Sequence, residues 1–573
     1  MESTVIIPAP IPRVYVPANF KIESWDALKP MFDELKARNV DSPADLRAWL
    51  ADKSELDSVL EEEMAWRYIR MTCNTTDEPI AEAFNFFVTE IEPNVAPYSD
   101  AFNRKLVESP AASSLDSESE KLMLRNVSVA IEIFREENIP LLTELQTEQQ
   151  KYGAIQGAMT VEIDGKELTL QQAGAMLEGP DRVQRERVYL RIQERRLQDS
   201  AALDGLFDKL IALRQQVAAN AGFTNFRDYM FKAMARFDYS VQDCMNFHTA
   251  VSGAVVPLLN SMMQQRRAHL QLDTLRPWDL AVDERGEPPL KPFTGGEELL
   301  EKTIECFNRV SPEFGGYLAA MREMGHLDLE SRKGKAPGGY NYPLDETGVP
   351  FIFMNAAGTL RDLVTLVHEG GHAAHSFLTR DLPLNFYKHP PSEVAELASM
   401  SMELISMEHW DVFFTDETQL RTARRRHLEQ IIETLPWVAT IDQFQHFIYE
   451  TPDMGAEERR KVWNAICQDF GSSEVNWTGL EQYRSNMWQK QLHLFEVPFY
   501  YIEYAIAQLG AVAVWKNYRE NPEKGLEGYR NALKLGYTLP IRQIYEAAGI
   551  RFDFSYENIQ VLMRFVSDEM DKL

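Results

Sequence analysis

The stretch 364–375, VTLVHEGGHAAH, places three histidines and one glutamate in an otherwise apolar run. The whole chain has 573 residues and only 11 histidines, so their concentration here is unusual. Thr359 with Asp362 three residues later forms a capping-box pattern, and Pro383 follows the end of the apolar run. The sequence therefore predicts a helix over residues 360–379.

Apolar residues cover two faces of this predicted helix, so we expect it to be buried nearly all round. His368 and His372 are four residues apart on the remaining flank, where both rings can reach one ion. Glu369 projects beside them, close enough to act on a water molecule without binding the ion. H-E-x-x-H on a helix is the pattern of a zinc site with a general base, although such short patterns also arise by chance. Burial favours the metal site, because two imidazoles and a carboxylate are costly to bury unpaired.

His375 lies one further turn along the same helix, two turns from His368. A single helix rarely supplies three ligands to one tetrahedral site. We therefore expect His375 to pack or to line a pocket, with a role as third ligand as the alternative.

A catalytic zinc needs three protein ligands and one open position. The prolines at 390 and 391 predict the start of a second helix with Ser392 as its N-cap. Glu396 and Glu403 share a face of this helix, so we assign Glu396 as the third ligand. Glu403 is then placed to accept a hydrogen bond from a ligand imidazole. Glu393 is the rival ligand because i and i+3 share a face, although a carboxylate facing the helix dipole explains it adequately.

Helical periodicity dominates the rest of the chain, and signals for sheet are few. The predicted fold is mostly α, with an N-terminal helical lobe over residues 1–200 and a catalytic helical lobe over residues 201–573. A β-hairpin is expected around Asp164-Gly165, and a short strand over residues 349–355. The other helices are predicted at 24–38, 53–73, 115–150, 181–220, 240–270, 417–434 and 499–516, and loops at 281–296 and 331–348.

The formal net charge of −28 argues against nucleic acid or an anionic membrane surface as a partner. The four cysteines are far apart and form no C-x-x-C pair, which suits a reducing compartment without disulfides. The N-terminal stretch MESTVIIPAPIPRVYVP lacks a basic n-region and a long apolar h-region, so no signal peptide is expected. No apolar run is long enough to cross a bilayer. These features predict a cytoplasmic protein.

Three segments together resemble the family of thimet oligopeptidase and oligoendopeptidase F, and are most similar to its bacterial oligoendopeptidase F and Pz-peptidase branch. They are PFIFMNAAGTLRDLVTLVHEGGHAAH (350–375), EVAELASMSMEL (393–404) and HLFEVPFYYIEYAIAQLG (493–510). The resemblance covers about two thirds of the chain specifically and the N-terminal third more loosely.

The resemblance implies a two-lobed, almost wholly helical body with a deep channel that admits short unfolded peptides. It also implies one zinc ion per chain and a small sheet beside the zinc helix, whose edge lies along the substrate. The predicted strand at 349–355 would be that edge, with Asn355 and Ala356 as substrate contacts.

Carried over to this sequence, the resemblance makes His368, His372 and Glu396 the zinc ligands and Glu369 the general base. It makes His493 a group that contacts the scissile carbonyl or its oxyanion.

Tyr504 is implied as a second such contact. The sequence departs from the thimet branch nearby, because the loop LFEVP contains no glycine and Val497 occupies the position of another catalytic tyrosine. Tyr500 and Tyr501 are the candidates to replace that tyrosine. Tyr501 ranks first because it shares a helix face with Tyr504 at i+3.

The function expected from these residues is zinc-dependent cleavage inside short peptides. One alternative is a carboxypeptidase on a similar helical frame, which needs a cation to hold the terminal carboxylate, with Arg380 and Arg484 as candidates. The other alternative is a peptide-binding protein with a structural zinc. Structural zinc usually has cysteine ligands, and no cysteine lies near this motif, so the enzyme is favoured. The sequence does not predict an oligomeric state.

Overall fold

A computed structural model describes residues 7–332, 334–336 and 338–573. The chain is mostly α-helical with two small sheets, which confirms the predicted fold class. Within those residues, no helix combines the length and the apolar character needed to span a membrane. The expectation of no signal peptide rests partly on residues 1–6, which lie outside the described residues.

The N-terminal part of the chain consists of helices that mostly pack in consecutive pairs. Their bounds are α1 Trp25–Ala37, α2 Pro43–Cys73, α3 Glu78–Phe86, α4 Glu92–Glu108, α5 Glu118–Ile133, α6 Asn138–Gly157, α7 Leu170–Ala175, α8 Arg182–Gln198 and α9 Ser200–Asn220. A π-helical turn, Phe87–Ile91, joins α3 to α4.

The remaining helices include the histidine-rich helix, α15. Their bounds are α10 Phe226–Ala233, α11 Val241–Ala254, α12 Val256–His269, α13 Gly295–Val310, α14 Pro312–Met324, α15 Leu360–Thr379, α16 Asn385–Lys388, α17 Ser392–Ser406, α18 Glu417–Glu450, α19 Ala456–Phe470, α20 Glu481–Ser485, α21 Leu492–Glu496, α22 Tyr501–Glu520, α23 Pro522–Lys534, α24 Ile541–Ala547 and α25 Tyr556–Met570. Short 3-10 turns occupy Ala112–Ser114, Met176–Glu178, Pro277–Asp279, Met407–Val412 and Met487–Lys490.

Three of the long helices predicted from periodicity are each divided in two. The segment 115–150 forms α5 and α6, 181–220 forms α8 and α9, and 240–270 forms α11 and α12. Pro257 stands in the first turn of α12, where its missing N–H is tolerated but would break a continuous helix. Apolar spacing continues across such joints, so periodicity alone does not detect them. In the opposite sense, the helix predicted to end at 434 continues through Pro436 as α18.

The predicted hairpin is confirmed by strands β1, Thr160–Ile163, and β2, Lys166–Thr169, which pair antiparallel. Asp164 and Gly165 between them have φ values of 53° and 76°. Two successive positive φ angles are the signature of the tight turn that Asp-Gly favours.

The second sheet contains β3, Leu327–Glu330, β4, Tyr340–Tyr342, and β5, Phe351–Ala356, in the order β3-β5-β4. The central strand β5 is parallel to β3 and antiparallel to β4. The prediction that the strand at 349–355 offers a free edge is therefore wrong for its first half, which is paired on both sides. Both partners were hidden in the sequence, because β3 is very short and β4 lies within the predicted loop 331–348. Residues 333 and 337 of that loop lie outside the described residues.

Five hydrophobic clusters are found among the described residues, and two of them are much larger than the others. The smaller core is formed mainly by side chains between Val16 and Met123, and the larger core runs from Leu145 to Met570. The larger core includes the buried faces of α15, α17 and α22, so these three helices are fixed relative to one another. The lobe boundary near residue 200 stays a prediction.

An ion pair connects α2 to the chain segment beside α16. His389 Nε2 lies 2.8 Å from Asp345 Oδ2 and 3.4 Å from Glu61 Oε2 of α2. Burial alone lowers the pKa of His389, but the hydrogen bonds from Asp345 and Glu61 outweigh it and raise the pKa to about 10.

This pair predicts a pH-dependent contribution to stability. Because the pKa of His389 is raised, its contribution is fully present below the unfolded-state pKa of about 6.5 and is lost as pH rises through about 10. His389→Gln should therefore lower the Tm at pH 6.5 and converge with the wild type near pH 10. The ring is partly exposed, so solvent screening keeps the difference small. A Tm difference that is equal at all pH values would contradict this role.

Candidate active site

Helix α15 has the predicted bounds and the predicted start. The Thr359 hydroxyl accepts a hydrogen bond from the Asp362 N–H, and the Asp362 carboxylate accepts one from the Thr359 N–H at 2.9 Å. The capping box thus fixes where the helix begins, and thereby which face carries the histidines.

The three predicted metal ligands converge on one point. Glu396 Oε2 lies 3.4 Å from His368 Nε2 and 3.7 Å from His372 Nε2, and the three ligand atoms all lie within 4.8 Å of one another. Zinc bonds of about 2.0–2.2 Å at tetrahedral angles would place such atoms about 3.3–3.6 Å apart. The spacing of these side chains therefore fits a divalent cation held by two imidazoles and one carboxylate.

Gly371 explains how α17 comes close enough to supply Glu396. A Cβ atom at Gly371 would lie 2.6 Å from Ser399 Cα and 2.8 Å from the Ala398 carbonyl oxygen of α17. Any larger residue would push the two helices apart. The H-E-G-G-H spacing therefore also sets the distance between the helices.

The start of α17 differs from the prediction, because Pro391 and not Ser392 caps the helix and no side chain bonds to its first N–H groups. Glu393 is 1% exposed and accepts a hydrogen bond from the Tyr239 hydroxyl at 2.7 Å. It therefore points into the protein, away from both the helix dipole and the three ligands, and the rival ligand assignment is not supported by its position.

The ionisation states of His372 and Glu396 suit a metal site, whereas hydrogen bonds to Glu396 and Glu403 outweigh burial and raise the pKa of His368. Burial lowers the pKa of His372 to about 4, which keeps the imidazole neutral. The pKa of Glu396 is lowered to about 2 because its bond with His368 and the nearby imidazoles outweigh burial. His368 Nδ1 lies 2.6 Å from Glu403 Oε1, which fixes the ring and leaves Nε2 directed at Glu396. Glu403 thus occupies the position predicted for it.

Glu369 is 7% exposed and faces the same space. Burial raises the pKa of its carboxyl group to about 7. The Asn341 backbone N–H of β4 faces this carboxylate, and the Asn341 side-chain amide donates to the Glu369 backbone carbonyl at 3.3 Å.

His493 is held by a hydrogen-bond chain that the sequence did not suggest. Trp437 Nε1 donates to Gln491 Oε1 at 3.3 Å, so the Gln491 amide nitrogen faces His493 Nδ1 at 2.8 Å. Because the indole can only donate, this order fixes the amide orientation. His493 Nδ1 is then the acceptor, and Nε2 carries the proton toward the site. Burial also lowers the pKa of His493, which keeps this ring neutral.

The tyrosines after Pro498 occupy three different positions. The Tyr504 hydroxyl lies 3.5 Å from His493 Nε2, and the Tyr500 hydroxyl donates to Glu396 Oε1 at 3.2 Å. The Tyr501 ring packs edge-on against His493, with ring centroids 4.8 Å apart. This geometry favours Tyr500 over Tyr501 as the partner of Tyr504.

Phe499 explains why Tyr500 faces the site. Its φ of 67° is unusual for a large side chain. Two buried side chains hold this conformation: Gln445 accepts the Phe499 N–H at 2.6 Å, and the Arg236 guanidinium donates to the Phe499 carbonyl. The bend turns the next residue toward α17, and neither Gln445 nor Arg236 was identified from the sequence.

The remaining candidates lie outside the ligand group. His375 is 5% exposed and its Nε2 has no hydrogen-bond partner in the described part of the chain. Asn355 extends past the end of β4, and its amide donates to the Ala336 and Gly338 carbonyls at 2.8 and 2.9 Å. Ala356 pairs with β3. The substrate contacts expected of Asn355 and Ala356 stay predictions.

The two arginines considered for a terminal carboxylate are in different places. Arg380 donates to the Ala9 carbonyl at 2.8 Å on the side of α16. Arg484 lies over the ring of Trp477 and lines a cleft of about 1000 Å³ that is also lined by Trp437. Trp437, which lines the same cleft as Arg484, begins the hydrogen-bond chain to His493.

The site brings together two imidazoles of one helix, a carboxylate of a second helix and a neighbouring glutamate. This is the arrangement of the H-E-x-x-H metal-dependent hydrolases. The chain belongs to Peptidase family M3: the family model matches residues 175–562, and the model of the Peptidase M3 N-terminal domain matches residues 17–134. This confirms the resemblance read from the motifs.

Individual relatives agree with the family assignment. The structure called Pz peptidase A with inhibitor 2 superposes with a TM-score of 0.90 at 26% identity, covering 97% of this chain and 98% of that one. Oligopeptidase PepF of Bacillus subtilis is 25% identical over 325 residues, which are 56% of this chain and 47% of that protein. An oligoendopeptidase F homolog of Mycoplasma pneumoniae is 26% identical over 317 residues, 51% of this chain and 49% of that protein. The match thus spans about half the length of these curated relatives.

Proposed function

We propose that this protein is a zinc-dependent endopeptidase that hydrolyses short unfolded peptides. The observation that carries the proposal is the convergence of His368, His372 and Glu396 with Glu369 beside them. Membership of Peptidase family M3 and the likeness to oligopeptidases support the same reaction.

His368, His372 and Glu396 would hold the zinc ion, which would supply Lewis-acid chemistry toward a peptide carbonyl and an attacking water molecule. Glu369 takes the proton from that water and then delivers it to the leaving amine. Glu403 keeps the His368 ring in the orientation that directs Nε2 at the ion.

His493 and Tyr504 are the proposed donors to the carbonyl oxygen as negative charge develops on it. Both are suited to donate, since the Gln491 bond leaves the proton on His493 Nε2 and burial raises the pKa of Tyr504. Burial likewise raises the pKa of Tyr500, so that its hydroxyl stays protonated. We propose Tyr500 as the third donor, in place of the higher-ranked Tyr501.

The substrate is proposed to lie between the small sheet and the cleft lined by Trp437. On the sheet side, the strand against α15 is β4, whose Asn341 reaches the Glu369 carbonyl. On the other side, the cleft of about 1000 Å³ has room for several side chains. A peptide can therefore extend on both sides of the reacting bond, as internal cleavage requires.

The test of this function is hydrolysis of an internally quenched peptide before chelation, after chelation and after zinc is restored. Activity should disappear with the metal and return with it. Mass spectrometry on one peptide with free ends and one with blocked ends separates the alternative: an endopeptidase cuts both internally, whereas a carboxypeptidase holding the terminus through Arg484 cuts only the free peptide. Activity that survives full removal of the metal would contradict the proposal.

Tyrosine variants test the assignment of the donors. Tyr504→Phe and Tyr500→Phe should each lower kcat about a hundredfold with little change in KM, because the lost hydroxyl acts in the transition state. Tyr501→Phe is the matched control and should retain most activity, because its ring packs on His493 through a face that phenylalanine preserves. Steady-state kinetics on one quenched peptide gives kcat and KM for all three variants. A large kcat loss in Tyr501→Phe alone would restore the ranking made from the sequence.

A further inference from the structure

A second group of potential metal ligands lies between α11 and α18, apart from the candidate active site. Cys244 and His248 are four residues apart on α11, and Asp442 and His446 are four residues apart on α18. Residues at this spacing project from the same face of a helix, one above the other. The two pairs face each other across the contact between the helices.

Three of these side chains already have ligand atoms in mutual reach. The sulfur of Cys244, a carboxylate oxygen of Asp442 and a ring nitrogen of His446 all lie within 4.8 Å of one another. His248 Nε2 lies 2.8 Å from Asp442 Oδ2, a hydrogen bond that holds the carboxylate in place. All four residues are at most 5% exposed.

The contact between His446 and Asp442 resembles the contacts among His368, His372 and Glu396, the group called the M3 site below. His446 Nε2 is 3.3 Å from Asp442 Oδ2 but its geometry is not that of a hydrogen bond, and both ring nitrogens of His446 are without hydrogen-bond partners. The distances from Glu396 to His368 and His372 are similar, at 3.4 and 3.7 Å. Two donors on one zinc ion are separated by about 3.3 Å, so this spacing is typical of ligands to a common ion.

A purely protein interpretation of the cluster leaves several polar atoms unexplained. An ion pair of His248 with Asp442 accounts for one bond, but Asp442 Oδ1 and both nitrogens of His446 are buried without partners in the described part of the chain. Buried polar groups of native proteins are nearly always paired. Arg236, a charged neighbour of Cys244, is engaged with Glu503 at 2.8 Å.

A divalent cation resolves both the unpaired atoms and the charge. Burial raises the pKa of the Cys244 thiol, and a bound cation would displace its proton to form a thiolate. One divalent cation with one thiolate and one carboxylate is neutral overall, which the apolar interior tolerates. Thiolate, imidazole and carboxylate together suit zinc better than magnesium or calcium.

We propose that Cys244, Asp442 and His446 bind a second, structural zinc ion, with His248 orienting Asp442. Three protein ligands leave one tetrahedral corner for a buried water molecule. The ion would join α11 to α18 next to the segment that carries Phe499 and Tyr500. His446 packs against Phe499, with ring centroids 5.4 Å apart, and the neighbouring Gln445 holds the Phe499 N–H. A rigid α18 would therefore help to keep Phe499 in the conformation that directs Tyr500.

Cobalt substitution tests this site independently of catalysis. The M3 site has no sulfur ligand, so a sulfur-to-cobalt charge-transfer absorption can arise only where a cysteine binds the ion. The wild type and the His368→Ala/His372→Ala double variant should both show this absorption after cobalt loading. Zinc content, measured by mass spectrometry of the metal, should be two per chain in the wild type and one in the double variant.

Two cysteine variants localise the signal. Cys244→Ser should lose the absorption and one zinc per chain. Cys306→Ser is the matched control, because Cys306 is also fully buried but belongs to no ligand group among the described residues. If Cys244→Ser does not fold, the wild type and the double variant still decide through their own spectra and zinc content. The zinc proposal would be overturned if the wild type and the double variant both lack the absorption and the double variant contains no zinc. It would also be overturned if the absorption persists in Cys244→Ser. Neither result affects the peptidase proposal.

Discussion

Replacing Glu369 with glutamine is expected to lower kcat by about three powers of ten, in line with the contribution of a general base. Glutamine keeps the size of the side chain but cannot take up the proton. Because glutamine keeps an oxygen that can accept from the Asn341 N–H, the change removes little structural contact. Zinc content should stay at the wild-type level. Initial rates on a quenched peptide, with metal content measured on the same sample, give both quantities.

The matched control for this variant is Glu417→Gln, which removes the same charge at a side chain that is 82% exposed on α18. Its activity should equal that of the wild type. Near-normal turnover in Glu369→Gln, with zinc present, would mean that Glu369 is not the general base of this protein.

The convergence of His368, His372 and Glu396 could be predicted because much of its geometry is encoded locally. The capping box at Thr359 fixes the start of α15, and the i, i+4 spacing of His368 and His372 then places both rings on one flank. The assignment of Glu396 needed one further step, the assumption that the next helix returns beside the first. Gly371 is the physical reason that this assumption holds, since it lets α17 approach the backbone of α15.

The choice between Tyr500 and Tyr501 could not be made from the sequence. Helix periodicity favoured Tyr501, because it assumes that the helix carrying Tyr504 begins before both residues. In the structure α22 begins at Tyr501, and Phe499 before it has a positive φ. That conformation is imposed by Gln445, 54 residues away along the chain, through a buried hydrogen bond. Local propensity contains no information about such a contact.

The sheet shows the same limit at the level of the fold. The sequence identified β5 by its apolar run, but its neighbours are three and four residues long and carry no alternating pattern. A strand can be recognised alone, whereas its place in a sheet depends on partners. The free edge assigned to β5 was therefore wrong for its first half, although its position before the histidine helix was correct.

Glu396 and Glu393 provide the sharpest test of the metal site, since they lie three residues apart on the same buried helix. Glu396→Gln should lose most of the catalytic zinc and reduce peptide hydrolysis to background, because a neutral amide is a poor ligand and a two-histidine site binds zinc weakly. Glu393→Gln is its matched control and should keep that zinc and most activity. It retains an oxygen that can accept from Tyr239, and because burial raises the pKa of Glu393, removing its charge should cost little stability.

Metal content, peptide hydrolysis and thermal unfolding, measured on both variants, separate a lost ligand from a general loss of stability. Excess zinc should restore part of the activity of Glu396→Gln, because mass action compensates for weakened binding. Loss of zinc in Glu393→Gln with retention in Glu396→Gln would exchange the roles of the two glutamates. Loss in both, with both proteins folded, would mean that the orientation of α17 and not one carboxylate governs the site.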